Sequence, residues 1–337
     1  MSAPKLSYVV IGMNEAENLA ECLRSIANQH QQPDCEILYV DSGSTDGSLD
    51  IARRTPGVRV LALEDQHPNA AKARNLGWRK SCGEFVHFVD ADSTLAPHWV
   101  MHALAAMDDP LTAVVCGGLR ERHAEHSIYN RFADLDWPGG SGPTDTFGGI
   151  ALVRREALER CGGYAEDLRS GEEPELAQRL IRGGYTVLQL PLLMAWHDLD
   201  MTTFQEYWRR NVMVGWAYSE RAARIRASGR SALYERSTKS LLILLVVLGL
   251  VLAGSFESGE YFLVLLALAL VDLGRLAYVN RERAGSWAAA LLYALHLRFV
   301  PLPFLVGSLR WRRDRRLRAR NAQPATAVTT QVVEAPR

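Results

Sequence analysis

The sequence predicts an α/β fold, a mostly parallel sheet flanked by helices, followed by C-terminal transmembrane or interfacial helices. Two observations predict this. As far as about residue 237, apolar runs of four to six residues alternate with stretches of helical periodicity. Beyond it the apolar runs lengthen to 16 and 19 residues, at 241–256 and 261–279. Strands separated by helices pair in parallel, because each crossover returns the chain to the same edge, and ligands then gather at the carboxyl ends of the strands.

The elements follow in order. Residues 6–11 form a first strand. Residues 17–29 place Leu19, Cys22, Leu23 and Ile26 on one helical face. Residues 36–40 and 58–63 are the next strands, 70–80 a helix, and 85–89 a fourth strand. Pro97 opens a helix over 97–107, where proline is favoured in the first turn. Strands at 113–116 and 186–190 complete the set.

Charge and cysteine usage exclude some classes. The 38 Lys and Arg balance 38 Asp and Glu, so no basic field points to nucleic acid. The five cysteines are scattered, without the close spacing of a zinc or redox site, and are expected as reduced thiols. The apolar run near the N-terminus is too short for a signal peptide, and Glu15 and Glu17 follow it. The expected location is the cytoplasmic face of the inner membrane, with a multi-pass anchor.

Four parts are expected: a catalytic domain over 1–202, an amphipathic interfacial segment over 203–236, a membrane domain over 237–310, and a basic, then disordered tail over 311–337. In the second, Phe204, Trp208, Val212 and Trp216 recur every four residues beside several arginines. Packing on its own domain is the alternative for that stripe. Residues 241–256 and 261–279 are expected to cross the membrane, with Asp272 and Arg275 paired one turn apart near the end of the second. Residues 287–309 are interrupted by His296, Arg298, Pro301 and Pro303, and an arginine-rich stretch over 310–320 follows. Positive flanks stay inside, so this third run is expected as a re-entrant hairpin bent at the prolines.

The chemistry starts from Asp90-Ala91-Asp92, which directly follows the strand 85–89. Two carboxylates so placed can hold a hard divalent cation, which neutralises a diphosphate leaving group. Alone, such a turn is usually a solvated cap. Two further strands run into polar, glycine-bearing turns: Val9-Val10-Ile11-Gly12-Met13-Asn14-Glu15 and Tyr39-Val40-Asp41-Ser42-Gly43-Ser44-Thr45-Asp46-Gly47. The second is also a fitting helix cap through Ser44 or Asp46.

With these motifs in order, and with Ala73-Arg74-Asn75-Leu76-Gly77, Gly149-Ile150-Ala151-Leu152-Val153-Arg154-Arg155, Gly162-Gly163-Tyr164 and Gly171-Glu172-Glu173-Pro174-Glu175-Leu176, the chain resembles glycosyltransferase family 2 over residues 6–198. The resemblance implies a GT-A fold and a nucleotide-sugar donor held with Mg2+ or Mn2+. It implies that Asn14, Glu15, Asp41, Ser44, Lys72, Asn75 and Asp90 bind the donor. Asp92, Asp90 and His197 are implied metal ligands, and Glu173, with Glu172 as the alternative, the catalytic carboxylate. Family members usually have Glu-Asp where this chain has Glu172-Glu173. The Gln-x-x-Arg-Trp motif of the processive synthases is not matched by Gln205-Glu206-Tyr207-Trp208-Arg209, which argues against a polymer-extruding synthase.

The expected function is inverting transfer of a sugar to a lipid-linked acceptor, in cell-surface glycan assembly among membrane lipids. A polyprenyl-phosphate sugar transferase and an inactive membrane scaffold of the same fold are the alternatives.

Overall fold

The computed structural model describes residues 5–30, 33–137, 139–225, 249 and 259–321. The crossing expected at 241–256 and the tail after 321 lie outside them.

The strands are β1 (Leu6–Gly12), β2 (Cys35–Asp41), β3 (Val58–Ala62), β4 (Phe85–Asp90), β5 (Ser93–Leu95), β6 (Thr112–Glu121), β7 (Gly142–Pro143), β8 (Ala151–Arg154) and β9 (Thr186–His197). They form one sheet in the order β3-β2-β1-β4-β8-β6-β9-β5, with β7 on β9. From β3 to β4 every pairing is parallel. Strand β8 then runs antiparallel to both β4 and β6, and β6 pairs in parallel with β9. The sheet is therefore mixed. The reversed pieces β5, β7 and β8 are two to four residues long, too short for a period of two to register in the sequence.

Helices α1 (Leu19–Ala27), α2 (Ser48–Arg54), α3 (Ala70–Lys80), α4 (Trp99–Ala105), α5 (Ile128–Asp136), α6 (Arg155–Cys161) and α7 (Glu172–Arg182) complete the part that carries the sheet. Leu6, Tyr8, Val9 and Val10 on β1 are all buried, as befits a central strand covered on both faces. Gly77 lets α3 approach the sheet closely, since a Cβ there would strike the side chain of Val9.

Four helices follow: α8 (Phe204–Ile225), α9 (Gly259–Ala284), α10 (Trp287–Phe299) and α11 (Pro301–Asn321). The apolar stripe on α8 is largely covered by the chain itself. Val212 and Trp216 are buried, Phe204 and Trp208 meet the ring of Phe299, and Gly215 lies directly against Phe304 of α11. Phe204 alone of the stripe is mainly exposed.

The C-terminal helices correct the hairpin expected over 287–309. The chain folds back at Gly285, whose φ of 76° is left-handed, and Ser286 then caps α10 by accepting from the Ala289 N–H at 3.2 Å. At the prolines it continues instead. Val300 is the only residue between α10 and α11, and Pro301 and Pro303 fall in the first turn of α11, where no intrahelical N–H donor is required. Arg298 is not an isolated charge either. Its Nε and a terminal nitrogen hold Asp272 of α9 at 2.6 and 2.8 Å, a fork that neutralises both groups. The expected Asp272–Arg275 pair is present at 3.4 Å.

Among the described residues one helical stretch, Trp287–Leu317, is long and apolar enough to cross a membrane, with mean hydropathy 1.7. Two crossings plus a hairpin were expected; the described residues supply this single candidate, and 261–279 falls within α9 without adding a second.

Candidate active site

Register brings the first three loops together. Gly12 of β1 pairs with Asp41 of β2, and Ile11 with Asp90 of β4, so all three strands end at one edge. The loops there are tied to one another. Asn14 adopts φ 61°, a left-handed conformation that asparagine tolerates. Its N–H donates to Ser44 Oγ at 2.8 Å, and its Oδ1 accepts from the Thr45 N–H at 2.8 Å. The Glu15 N–H donates to Ser48 Oγ, and Ala16 N–H to Asp46.

Asp41 is buried and closes its own turn, with Oδ2 accepting from the Gly43 and Ser44 N–H groups at 3.0 and 2.9 Å. Its Oδ1 takes only a 3.3 Å bond from the Tyr39 hydroxyl, which leaves acceptor capacity on that oxygen. Asp46, at the far end of the loop, accepts from the Ser48 N–H that opens α2, whose N-cap is Gly47 rather than the expected Ser44 or Asp46.

The edge is acidic. Burial pushes the Glu15 carboxyl up to about 7, and the charge of Asp92 adds to it. Asp92 is raised by its own burial first, with His197 opposing and Asp90 reinforcing. Strand β5 pairs Ser93 with His197, and the Asp198 N–H donates to the Asp92 carbonyl at 3.1 Å, so His197 is carried to Asp92 by backbone pairing. His197 Nε2 lies 3.5 Å from Asp92 Oδ1, longer than an ordinary hydrogen bond. Its buried Nδ1 has no hydrogen-bond partner. A carboxylate beside an imidazole with an unsatisfied nitrogen fits a divalent cation of the Mg2+ or Mn2+ type. The Trp137 ring leans on His197 at 5.5 Å.

Asp90 faces the other way. Its Oδ1 accepts from Arg74 at 3.0 Å. The same buried guanidinium reaches Glu172 at 2.8 Å and Glu173 at 3.0 Å, so one cation serves three carboxylates. Gly149 makes room for this group, because a Cβ there would strike Asp90 and Arg74. Burial raises Glu173 to about 7, with the Glu172 charge adding and Arg74 opposing. The Glu173 side chain is 14% exposed and that of Glu172 7%, so Glu173 is the more accessible. Glu175 forms a separate pair with Arg179.

One donor-binding expectation is corrected, at Asn75. Asn75 is buried, and all four of its amide positions are occupied within the protein. Nδ2 donates to the Tyr164 carbonyl and Glu166, while Oδ1 accepts from the Tyr164 N–H and Trp78 Nε1. It fixes the segment that leads to α7 and has no group left for a donor. Lys72 is held by Asp65 at 2.8 Å and the His67 carbonyl at 2.9 Å, on the loop before α3. Asn14, Glu15, Asp41, Ser44, Asp90, Asp92 and His197 share the edge, with Glu172 and Glu173 linked to it through Arg74.

Sequence reasoning did not single out Arg74, Glu121 or Trp137. Glu121 ends β6, pairs in register with His197, and is pushed up to about 7 by burial. No local pattern marks it. Arg74 stood inside a quoted motif, as the fifth residue of α3, and that motif was the available signal.

The Glycosyl transferase family 2 model matches residues 7–162. Glycosyltransferase AglE of Haloferax volcanii is 25% identical over 194 residues, covering 55% of this chain and 64% of that protein. O-antigen biosynthesis protein RfbC of Myxococcus xanthus is 32% identical over 169 residues, covering 48% and 13%. The chain thus spans less than two thirds of the length of these relatives. In structure it is similar to the mannosyltransferase PcManGT from Pyrobaculum calidifontis, solved with GDP-Man and Mn2+, at TM-score 0.69 and 20% identity over 93% of this chain and 88% of that one. That likeness supports the GT-A fold. Over residues 7–162 the chain is similar to glycosyltransferase family 2.

Proposed function

We propose that the chain transfers a sugar, with inversion, from a nucleotide-diphosphate sugar to a lipid-linked acceptor at the cytosolic membrane face, in the assembly of a cell-surface glycan. One observation carries this reading: the donor-side loops, the Asp92–His197 pair and the Arg74-held glutamates share one edge of the sheet. The curated relatives include an O-antigen rhamnosyltransferase and a succinoglycan biosynthesis protein, which supports the glycan setting.

In this reading Asp41 accepts from the base through its free Oδ1 capacity, and the Asn14 and Ser44 loops border the nucleotide. Asp92 and His197 hold the divalent cation, with Asp90 at the ribose. The cation's chemistry there is to offset the charge of the departing diphosphate. Glu173 takes the proton from the acceptor hydroxyl as the bond to the anomeric carbon forms on the face opposite the leaving group. Arg74 fixes the angle of that carboxylate.

The exposed apolar face of α9 and α10, with Leu263, Leu266, Leu270, Leu291 and Leu295, supports contact with lipid. The arginines at 310–320 favour the cytosolic side. Purified full chain, supplied with a nucleotide-sugar panel and Mn2+, should release nucleoside diphosphate, faster when a bacterial lipid extract is added. The glycan product should carry the anomeric configuration opposite to the donor. No release across the panel would overturn the reading, and retained configuration would remove direct displacement.

A further inference from the structure

A cavity of about 350 Å3 lies between α5, α8 and the C-terminal helices. We propose that it binds a neutral pyranose unit of the acceptor, so that the acceptor is a saccharide rather than a bare lipid phosphate. This rests on the glycosyl-transfer reading and specifies its second substrate.

Position comes first. Trp137 lines the cavity and also leans on His197, 5.5 Å away. Arg210, on another wall, feels the charges of Asp92 and Glu121. The cavity is therefore a neighbour of the Asp92–His197 pair. Its size is in the range of small-ligand sites.

The walls have the chemistry of sugar recognition. Tyr129, Trp137, Tyr218 and Phe304 contribute aromatic surface. The C–H faces of a pyranose lie against such rings, while its hydroxyls need hydrogen-bond partners around the perimeter. Asp136 and Asn211 supply these. Asp136 is held in place from outside: the Tyr293 hydroxyl donates to its Oδ1 at 2.7 Å, and His296 Nε2 contacts its Oδ2 at 3.0 Å. His296 is itself buried and fixed at its other nitrogen by Tyr207, 2.9 Å away. A carboxylate oriented by two side chains of an apolar helix, with lone pairs left over, is a preorganised acceptor of hydroxyl protons.

Charge separates the two ligand classes. Among the described residues Arg210 is the only Lys or Arg in the lining. Asp136 lines the cavity with it, so the described lining sets one carboxylate against one guanidinium. A lipid phosphate would meet no surplus of positive charge, and the Asp136 carboxylate would repel it. A neutral polyol meets no such repulsion. His296, Val300 and Phe304 come from the long apolar C-terminal helix, so the occupant is presented beside the lipid-facing part of the chain.

The test uses the full chain in detergent, with Mn2+ and the nucleotide sugar it turns over. Octyl glycosides with neutral pyranose heads and undecaprenyl phosphate are offered as acceptors. We expect transfer to an octyl glycoside. Asp136→Asn and Tyr129→Ala should each raise its KM by about ten-fold, with kcat changed by less than about three-fold. Ala133→Trp, which fills the cavity from α5, should do the same if Asp136→Asn fails to fold. Transfer to undecaprenyl phosphate with every octyl glycoside inert would overturn the proposal. So would an unchanged KM in the variants that fold. Absence of turnover with any acceptor or with water would instead sink glycosyl transfer itself.

Discussion

The two ends of the catalytic edge are assembled differently. At the β1–β2–β4 end, parallel strands deliver short contiguous loops, and Asn14, Asp41 and Asp90 arrive side by side because Gly12, Asp41 and Ile11 are locked in register. At the β9 end nothing is contiguous. His197 reaches Asp92 through the antiparallel pairing of β5, and the neighbouring cavity draws on α5, α8, α10 and α11. Strand register delivers these loops side by side, and short side-chain bonds from Asn14, Ser44 and Ser48 then tie them together. The other end depends on packing between segments 89 to 160 residues apart, as in the 2.9 Å link from Tyr207 to His296 and the contact from Asp136 to His296. Damage to the loops or to the Asp92–His197 pair should therefore act on donor binding and chemistry, and damage to the neighbouring cavity on the acceptor.

The largest effect that would break this division is at Glu173. Glu173→Gln preserves shape and removes the base, and turnover should fall by about two to four orders of magnitude while donor affinity holds. Turnover near that of the unmodified chain would move the base to Glu172. The wild-type pH profile sharpens the same point. Glu173 must be ionised to act, so activity should rise with pH through about 7, and the Gln variant should lose that limb. The sign for stability is opposite. A carboxyl raised by burial favours folding in its protonated form, so its contribution is complete below the ordinary glutamate range and is lost as pH rises through about 7.

Arg74 comes next. Arg74→Ala would leave Asp90, Glu172 and Glu173 without their shared buried partner, and should cost about 3–5 kcal/mol in stability, read by denaturant or thermal unfolding. Lysine supplies charge without the fork and should recover only part of it. A fully stable Ala variant would show that the three carboxylates are solvated or protonated and that the cluster does not depend on Arg74.

This contrast also explains what could be read in advance. The ends of β1, β2 and β4 stood out because an apolar run stops at a polar, glycine-bearing turn, a signal contained in a dozen residues. Helix α3 over Ala70–Lys80 had the bounds the periodicity gave. Asn75 misled because its motif is real while its work is structural: only the fold shows that Tyr164, Glu166 and Trp78 occupy its whole amide. The prolines misled in the same way. Pro301 and Pro303 break a helix interior but start a helix well, and which role applies depends on Gly285 having already made the turn. Arg298 looked prohibitive in an apolar run until Asp272, on the preceding helix, proved to be its partner. Glu121, Asp136 and Trp137 carry no local pattern, since their neighbours come from distant strands and helices.

Metal-dependent donor binding is the most direct test of the central claim. Calorimetry should titrate the purified full chain, and Asp92→Ala beside it, with nucleotide-diphosphate sugars in the presence and absence of Mn2+. The account predicts that a donor binds the unmodified chain only with Mn2+, and that Asp92→Ala loses this binding while keeping its fold by circular dichroism. Equal, metal-independent binding by both chains, or unchanged Mn2+-dependent binding in the variant, would contradict it.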